Sequence, residues 1–218
     1  MSAVPKPHVI LNPRLSARNA AKYFLLPGAD QIRLLRDQKF PRLEPQVFKQ
    51  PYYAISKRGI RAFLERGPES LVDTRAQIQR MRNAPQRMHL TRVLGEFLNS
   101  EHAQRGLKPI SFPRCQAYIR NLELRLSPDL VAYEGKEERF IYFNEKAEQC
   151  SPEVARITLE IAYWILKQNG VELKPQQLEY IDLFTGVLYR GRKPRKKTMQ
   201  DLEENARLIE SLWPTIEP

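Results

Sequence analysis

The sequence predicts an α+β protein: a central mixed β-sheet flanked by helices, with an α-helical region at the N-terminal side. Three observations predict it. Before Gly106 apolar residues recur at spacings of three and four, the period of a helix. After Gly106 short stretches alternate apolar with polar and stand between turn residues, the period of strands. A helix signature at Ser151-Pro152-Glu153 interrupts the strand-like half, and a second helical stretch closes the chain. The chain accordingly divides into an extended arm (1–15), a helical region (16–106) and an α/β core (107–218).

In the first half, Pro5, Pro7 and Pro13 deny the arm a regular period. Ser16 is placed to cap a helix over residues 17–26, which Pro27-Gly28 closes. A helix over 30–39 turns Ile32 and Leu35 inward, with Leu34 beside them, and leaves Arg33, Arg36 and Lys39 as a basic rim. Pro41, Pro45 and Pro51 then break the chain into a loop. Amphipathic helices follow over 53–65, 70–81 and 86–99.

In the second half, residues 115–126 lack Gly and Pro and place Tyr118, Leu122, Leu124 and Leu126 in alternation, so they read as one strand. Pro128 ends it. A strand over 130–133, a turn at Glu134-Gly135-Lys136 and a strand over 139–146 come next. Ser151 as N-cap, Pro152 in the first turn and the acid Glu153 open a helix that runs to Asn169-Gly170. Residues 178–183 and 187–189 make a hairpin around Thr185-Gly186, and the last helix spans 198–213. The order is β-β-β-α-β-β-α, without an internal repeat.

Composition excludes several classes. A chain of 218 residues hides roughly 70% of its unfolded surface, and 42% hydrophobic with 28% charged residues is the balance of a globular protein. No apolar run approaches the roughly 20 residues of a membrane helix. The N-terminus has neither the apolar centre nor the cleavage site of a secretion signal. Two cysteines, Cys115 and Cys150, are too few for a disulfide framework, so the expected compartment is the reducing cytoplasm. His8, His89 and His102 lack ligand spacing and no CxxC pair exists, which argues against zinc. No Gly-rich phosphate loop and no GxSxG is present. The 36 Lys and Arg against 25 Asp and Glu leave +11, a balance that favours a polyanionic partner, foremost nucleic acid.

Pro128-Asp129 before one strand and Asn144-Glu145-Lys146 at the end of the next are the residues that point to chemistry. Alternation puts Asn144 and Lys146 on one face and Glu145 on the other. Asp129 on the neighbouring strand then joins Asn144 and Lys146 at one end of the sheet. Oxygen ligands gathered there, Asp129 and Asn144, suit Mg²⁺ or Mn²⁺, and a lysine beside them stabilises charge on a phosphate under attack. An amide oxygen brings no charge, so Asn144 weakens such a site. Glu145 compensates only if the strand twists, and Glu96, Glu101 or Glu123 are alternative donors. The plain alternative is that Asp129 is a turn residue accepting backbone N–H groups.

On these residues, 115–190 resembles the core of the PD-(D/E)XK nucleases, especially the RecB-type exonucleases. The resemblance implies a restriction-endonuclease-like core, Asp129 as the metal-binding Asp and Lys146 as the lysine. It also puts Asn144 where that family has Asp or Glu, and Glu160 and Tyr163 where relatives carry supporting residues. The whole chain also resembles a set of bacterial proteins with an Arg-Asp-Gln-Lys segment near the N-terminus, here Arg36-Asp37-Gln38-Lys39; that likeness implies no activity.

The run Arg190, Arg192, Lys193, Arg195, Lys196 and Lys197 packs six cations into eight residues. Gly191 and Pro194 keep it off a helix, so it is expected to contact phosphates rather than read bases. Arg18, Lys22, Arg33, Arg36 and Lys39 form a second basic group. Three readings follow: a Mg²⁺-dependent nuclease acting on DNA through Asp129, Asn144, Glu145, Lys146 and Glu160; a catalytically silent protein of that fold that binds nucleic acid or a protein partner; and an unrelated module whose basic loop holds another polyanion.

Overall fold

Strand β1 (Arg14–Ser16) leads into α1 (Ala17–Leu25), and the Ser16 hydroxyl accepts the Asn19 N–H at 3.2 Å as its sequence position predicts. In this computed structural model residues 9–41 and 53–218 are described. Pro5, Pro7, His8, Pro45 and Pro51 lie outside them. Helices α2 (Gly28–Lys39), α3 (Ala54–Arg66), α4 (Leu71–Gln79) and α5 (Ala84–Asn99) complete the helical half. Strands β2 (Lys108–Pro109), β3 (Gln116–Ile119), β4 (Leu122–Arg125), β5 (Leu130–Glu134) and β6 (Glu137–Asn144) follow. Then come α6 (Pro152–Gln168), β7 (Leu178–Asp182), β8 (Leu188–Arg190) and α7 (Lys196–Leu212).

The fold is mixed α+β with helices flanking two sheets, as the two periods predict. The larger sheet has the order β2-β5-β6-β7-β8, and the smaller β1-β4-β3. β6 and β7 run parallel, joined by α6 as the crossover, while every other neighbour in the larger sheet is antiparallel. β6 is buried on both faces. Phe140 and Tyr142 enter one core with α1, α6 and α7, and Ile141 and Phe143 enter another with α3 and α5. A strand covered on both sides must be apolar at successive positions, which explains the run Phe140–Phe143. β1 pairs in parallel with β4 and α1 packs in the same core as α6, so the first helix belongs to one body with residues 107–218. None of the helices among the described residues is long and apolar enough to cross a membrane.

Several local expectations change. Residues 115–126 form two strands, because Arg120-Asn121 makes a turn between Ile119 and Leu122. Arg120 is left-handed at φ 55°, a conformation that strains a side chain with a Cβ. Glu210 on α7 holds it, accepting from Arg120 Nε at 2.5 Å and from the Asn121 N–H at 2.8 Å. Ser151 gives α6 no side-chain cap, although Pro152 and Glu153 occupy its first turn as expected. Ile32 is 40% exposed and lies outside the core, while Leu35 is fully buried. The final helix starts at Lys196, so the last two cations of the basic run lie in its first turn.

Lys39 does not belong to a basic rim. It is buried, and its ammonium donates to the carbonyls of Trp213 at 2.6 Å and Ile216 at 2.8 Å, with Pro214 at 3.3 Å. The Trp213 indole in turn donates to the carbonyl of Leu11 at 3.0 Å. Lys39 therefore straps the C-terminal turn to the first helices. Lys39→Met is expected to cost about 2 kcal/mol in urea unfolding, because the carbonyls lose a charge-assisted donor that water cannot replace there. A change below about 0.5 kcal/mol refutes that role.

Candidate functional site

Asp129 stands at the point where β5 begins, with its N–H donated to the Ile141 carbonyl at 2.8 Å. Its carboxylate is only 6% exposed and fully engaged. Oδ2 accepts from the Phe143 N–H at 2.8 Å and from Arg18 Nη2 at 2.5 Å, and Oδ1 meets Lys57 Nζ at 2.5 Å. Burial opposes ionisation of the carboxyl, but Arg18 and Lys57 outweigh it and hold the pKa below the usual carboxylate range. Arg18 reaches Asp129 from α1 on one side of the sheet, and Lys57 from α3 on the other.

The Arg18 guanidinium lies 5.2 Å from the ring centroid of Tyr142 and 5.4 Å from that of Tyr180, two rings stacked 6.1 Å apart. Burial works against its charge, yet Asp129, with the two tyrosines, raises its pKa above the ordinary value. Arg18 is therefore a fixed cation.

Glu145 lies just past the end of β6, where strand alternation no longer dictates direction. Its Oε1 accepts from Ser56 Oγ at 2.5 Å, and Oε2 is 3.5 Å from Lys57 Nζ. His89 Nε2 donates to the Glu145 carbonyl at 2.7 Å. Burial is the dominant influence and pushes the Glu145 carboxyl up to about 7 despite Ser56 and Lys57. The Lys57 ammonium thus stands between the two acids, in contact with both.

Asn144 turns to its own loop. Its Nδ2 donates to the Glu148 carbonyl at 2.9 Å and to Asp182 Oδ2 at 3.0 Å. Asp182 also accepts the N–H groups of Cys150 at 2.7 Å and Phe184 at 3.1 Å, so the pair ties the loop after β6 to the β7–β8 turn. Lys146 is exposed beside this loop and makes no ion pair among the described residues. Asp129 and Asn144 do come to the same end of the sheet, but the cations on Asp129 are Arg18 and Lys57 rather than Lys146.

Glu160 is buried elsewhere. It accepts from Arg156 Nη1 at 2.6 Å and from the Arg195 N–H at 3.2 Å, and so anchors the start of α7. None of its bonds involves Asp129 or Glu145. The alternative donors Glu96 and Glu123 pair with Arg92 and Arg125. Among the described residues no three His, Cys, Asp or Glu converge to hold a metal ion.

Arg18, Lys22, Lys57, Glu145, Lys146 and Tyr180 line a cleft of about 430 Å³. Lys22 is half-buried on its wall, and burial first, then the nearby charges of Lys146 and Arg18, lower its pKa. Further along, Arg190, Arg192, Lys193, Arg195, Lys196 and Lys197 are exposed, and Arg195 also faces Glu160 at 3.8 Å. The run is less free than a solvated loop. Gly191 is buried, donates to the Leu178 carbonyl at 2.8 Å, and leaves no room for a Cβ, which would lie 2.3 Å from the Pro175 carbonyl oxygen. Of the N-terminal basic group, Arg33 pairs with Asp30 at 3.1 Å and Arg36 is exposed. Ser56 and Lys57 carry no sequence signal: they sit on an amphipathic helix, and nothing local ties them to Asp129.

Fold and site together define an α+β protein with a cation-rich cleft at one end of its larger sheet. No family model matches the chain, and no curated protein matches it either.

Proposed function

We propose that the protein binds nucleic acid through its phosphates, on a core like that of the PD-(D/E)XK nucleases, without metal-dependent cleavage. The observation that carries this is Lys57: its ammonium occupies the position between Asp129 and Glu145 that a divalent ion would need. The donor set fits Mg²⁺ or Mn²⁺ poorly, since Asp129 has both oxygens bound to cations and Asn144 offers only a neutral amide oxygen, which accepts the Lys146 N–H at 3.4 Å. What the acids do instead is hold Arg18 and Lys57 in a fixed geometry beneath the cleft. A +11 chain with five exposed cations between Arg190 and Lys197 that make no ion pair among the described residues supplies the long-range attraction.

The test uses the purified chain with labelled DNA and RNA, single-stranded and duplex. Binding is expected in EDTA, without cleavage on adding Mg²⁺ or Mn²⁺. Metal-dependent cleavage that disappears in Asp129→Asn would reinstate the nuclease reading, and absence of binding at low salt would end the nucleic-acid reading. Replacing Arg192, Lys193, Lys196 and Lys197 by Ala is expected to flatten the dependence of log K on log salt. The slope falls by about 0.9 for each lost contact on duplex DNA and about 0.7 on single strands. An unchanged slope would show that the run is only a solvated surface.

A further inference from the structure

The cleft holds more cationic charge than its acids use. Arg18 and Lys57 are bound by Asp129, and Glu145 is turned to Ser56 and Lys57. Lys22 and Lys146 are not used: neither makes an ion pair among the described residues. Lys22 follows Arg18 by four positions on α1, so both project from one face of the helix into the cleft. The remaining lining acid, Glu148, lies on the exposed loop and leaves the wall with a net positive charge. A half-buried ammonium crowded by other cations of the same cleft, as Lys22 is by Lys146 and Arg18, is relieved by an anion placed beside it.

We propose that Lys22 and Lys146, backed by Arg18, form a binding site for a phosphomonoester dianion. Two unpaired ammonium groups match two negative charges. A terminal phosphate carries nearly two at neutral pH, because its second pKa is about 6, whereas an internal phosphodiester carries one. A cleft of about 430 Å³ admits the phosphate together with the nucleoside attached to it. The group is supplied either by the end of a nucleic-acid strand or by a free nucleotide. The inference rests on the nucleic-acid reading only for the first of these sources.

The experiment measures binding of one short oligonucleotide in three forms: 5′-phosphorylated, 3′-phosphorylated and hydroxyl-ended. A nucleoside monophosphate and inorganic phosphate serve as competitors, at a pH well above about 6. One phosphorylated form is expected to bind at least about tenfold tighter than the hydroxyl-ended strand. Lys22→Gln and Lys146→Gln are each expected to erase that preference. Because Lys146 is exposed, its variant keeps the fold and reads out the site even if Lys22→Gln does not. Equal binding of all three strands by the parent overturns the proposal and leaves the nucleic-acid reading standing. Binding of the monophosphate alone, lost in Lys146→Gln, upholds the site with a free nucleotide as its source and ends the nucleic-acid reading. Failure of every probe to bind overturns both.

Discussion

Asp129→Asn is expected to destabilise the protein by about 3–5 kcal/mol, the penalty for breaking a buried ion pair by removing one partner. The carboxylate is 6% exposed and satisfies two cations at once, with side chains of Arg18 and Lys57 20% and 30% exposed. An amide leaves Arg18 held against Tyr142 and Tyr180 without its counter-charge, and a guanidinium cannot escape by losing its proton. The amide also loses one of the acceptors that Asp129 presents, so either Arg18 or Lys57 faces an N–H₂ group. Urea unfolding at neutral pH measures the effect. The sign is diagnostic: acids assembled to hold a metal repel each other without it, so their neutralisation stabilises the apo fold. A variant as stable as the parent, or more so, would therefore refute the anchoring role assigned to Asp129.

Glu145→Gln is expected to act in the opposite direction, stabilising the protein by up to about 3 kcal/mol at pH 8 and hardly at all near pH 4.5. The carboxyl moves from 4.5 to about 7 on folding, chiefly through burial. Between those values the folded state binds the proton more tightly than the unfolded chain, so stability falls as pH rises through the window. A displacement of that size corresponds to about 3 kcal/mol. The groups facing Glu145 are Ser56 and Lys57 from α3, Asp129 from the start of β5, and His89 from α5 on its carbonyl. A Gln amide donates to Ser56 Oγ and presents its oxygen to Lys57, so the packing survives. Asp129 has the reverse dependence: its stabilisation is complete above the ordinary Asp range and is lost as pH falls through its depressed folded value. Unfolding curves of parent and variant at several pH values separate the two. Parallel curves from pH 4.5 to 8 would show that Glu145 titrates normally.

Much of the architecture was legible because it is local. Ser16 as a cap, Pro152 and Glu153 opening α6, and Gly186 in the β7–β8 turn each reflect contacts within a few residues. The position of Asp129 at the end of the sheet was legible for the same reason, since a Pro-Asp before one strand and a turn before the next fix its place. The turn at Arg120-Asn121 was not, because its strain is met by Glu210 on α7, 90 residues away in sequence from Arg120.

What the sequence alone determined is the helices, the strands β5 to β8 and the excess of positive charge. Tertiary structure decided which charges are free to act. Lys39 reads as a surface cation from its helix position, yet lies buried against carbonyls 174 and 177 residues away. Glu160 reads as a site residue and proves to be the anchor of α7. Arg18 and Asp129 are 111 residues apart, and no local pattern joins them. Periodicity is set by neighbours along the chain, whereas the partner of a charge is set by which side chains share its desolvated volume, and that depends on how the whole chain packs.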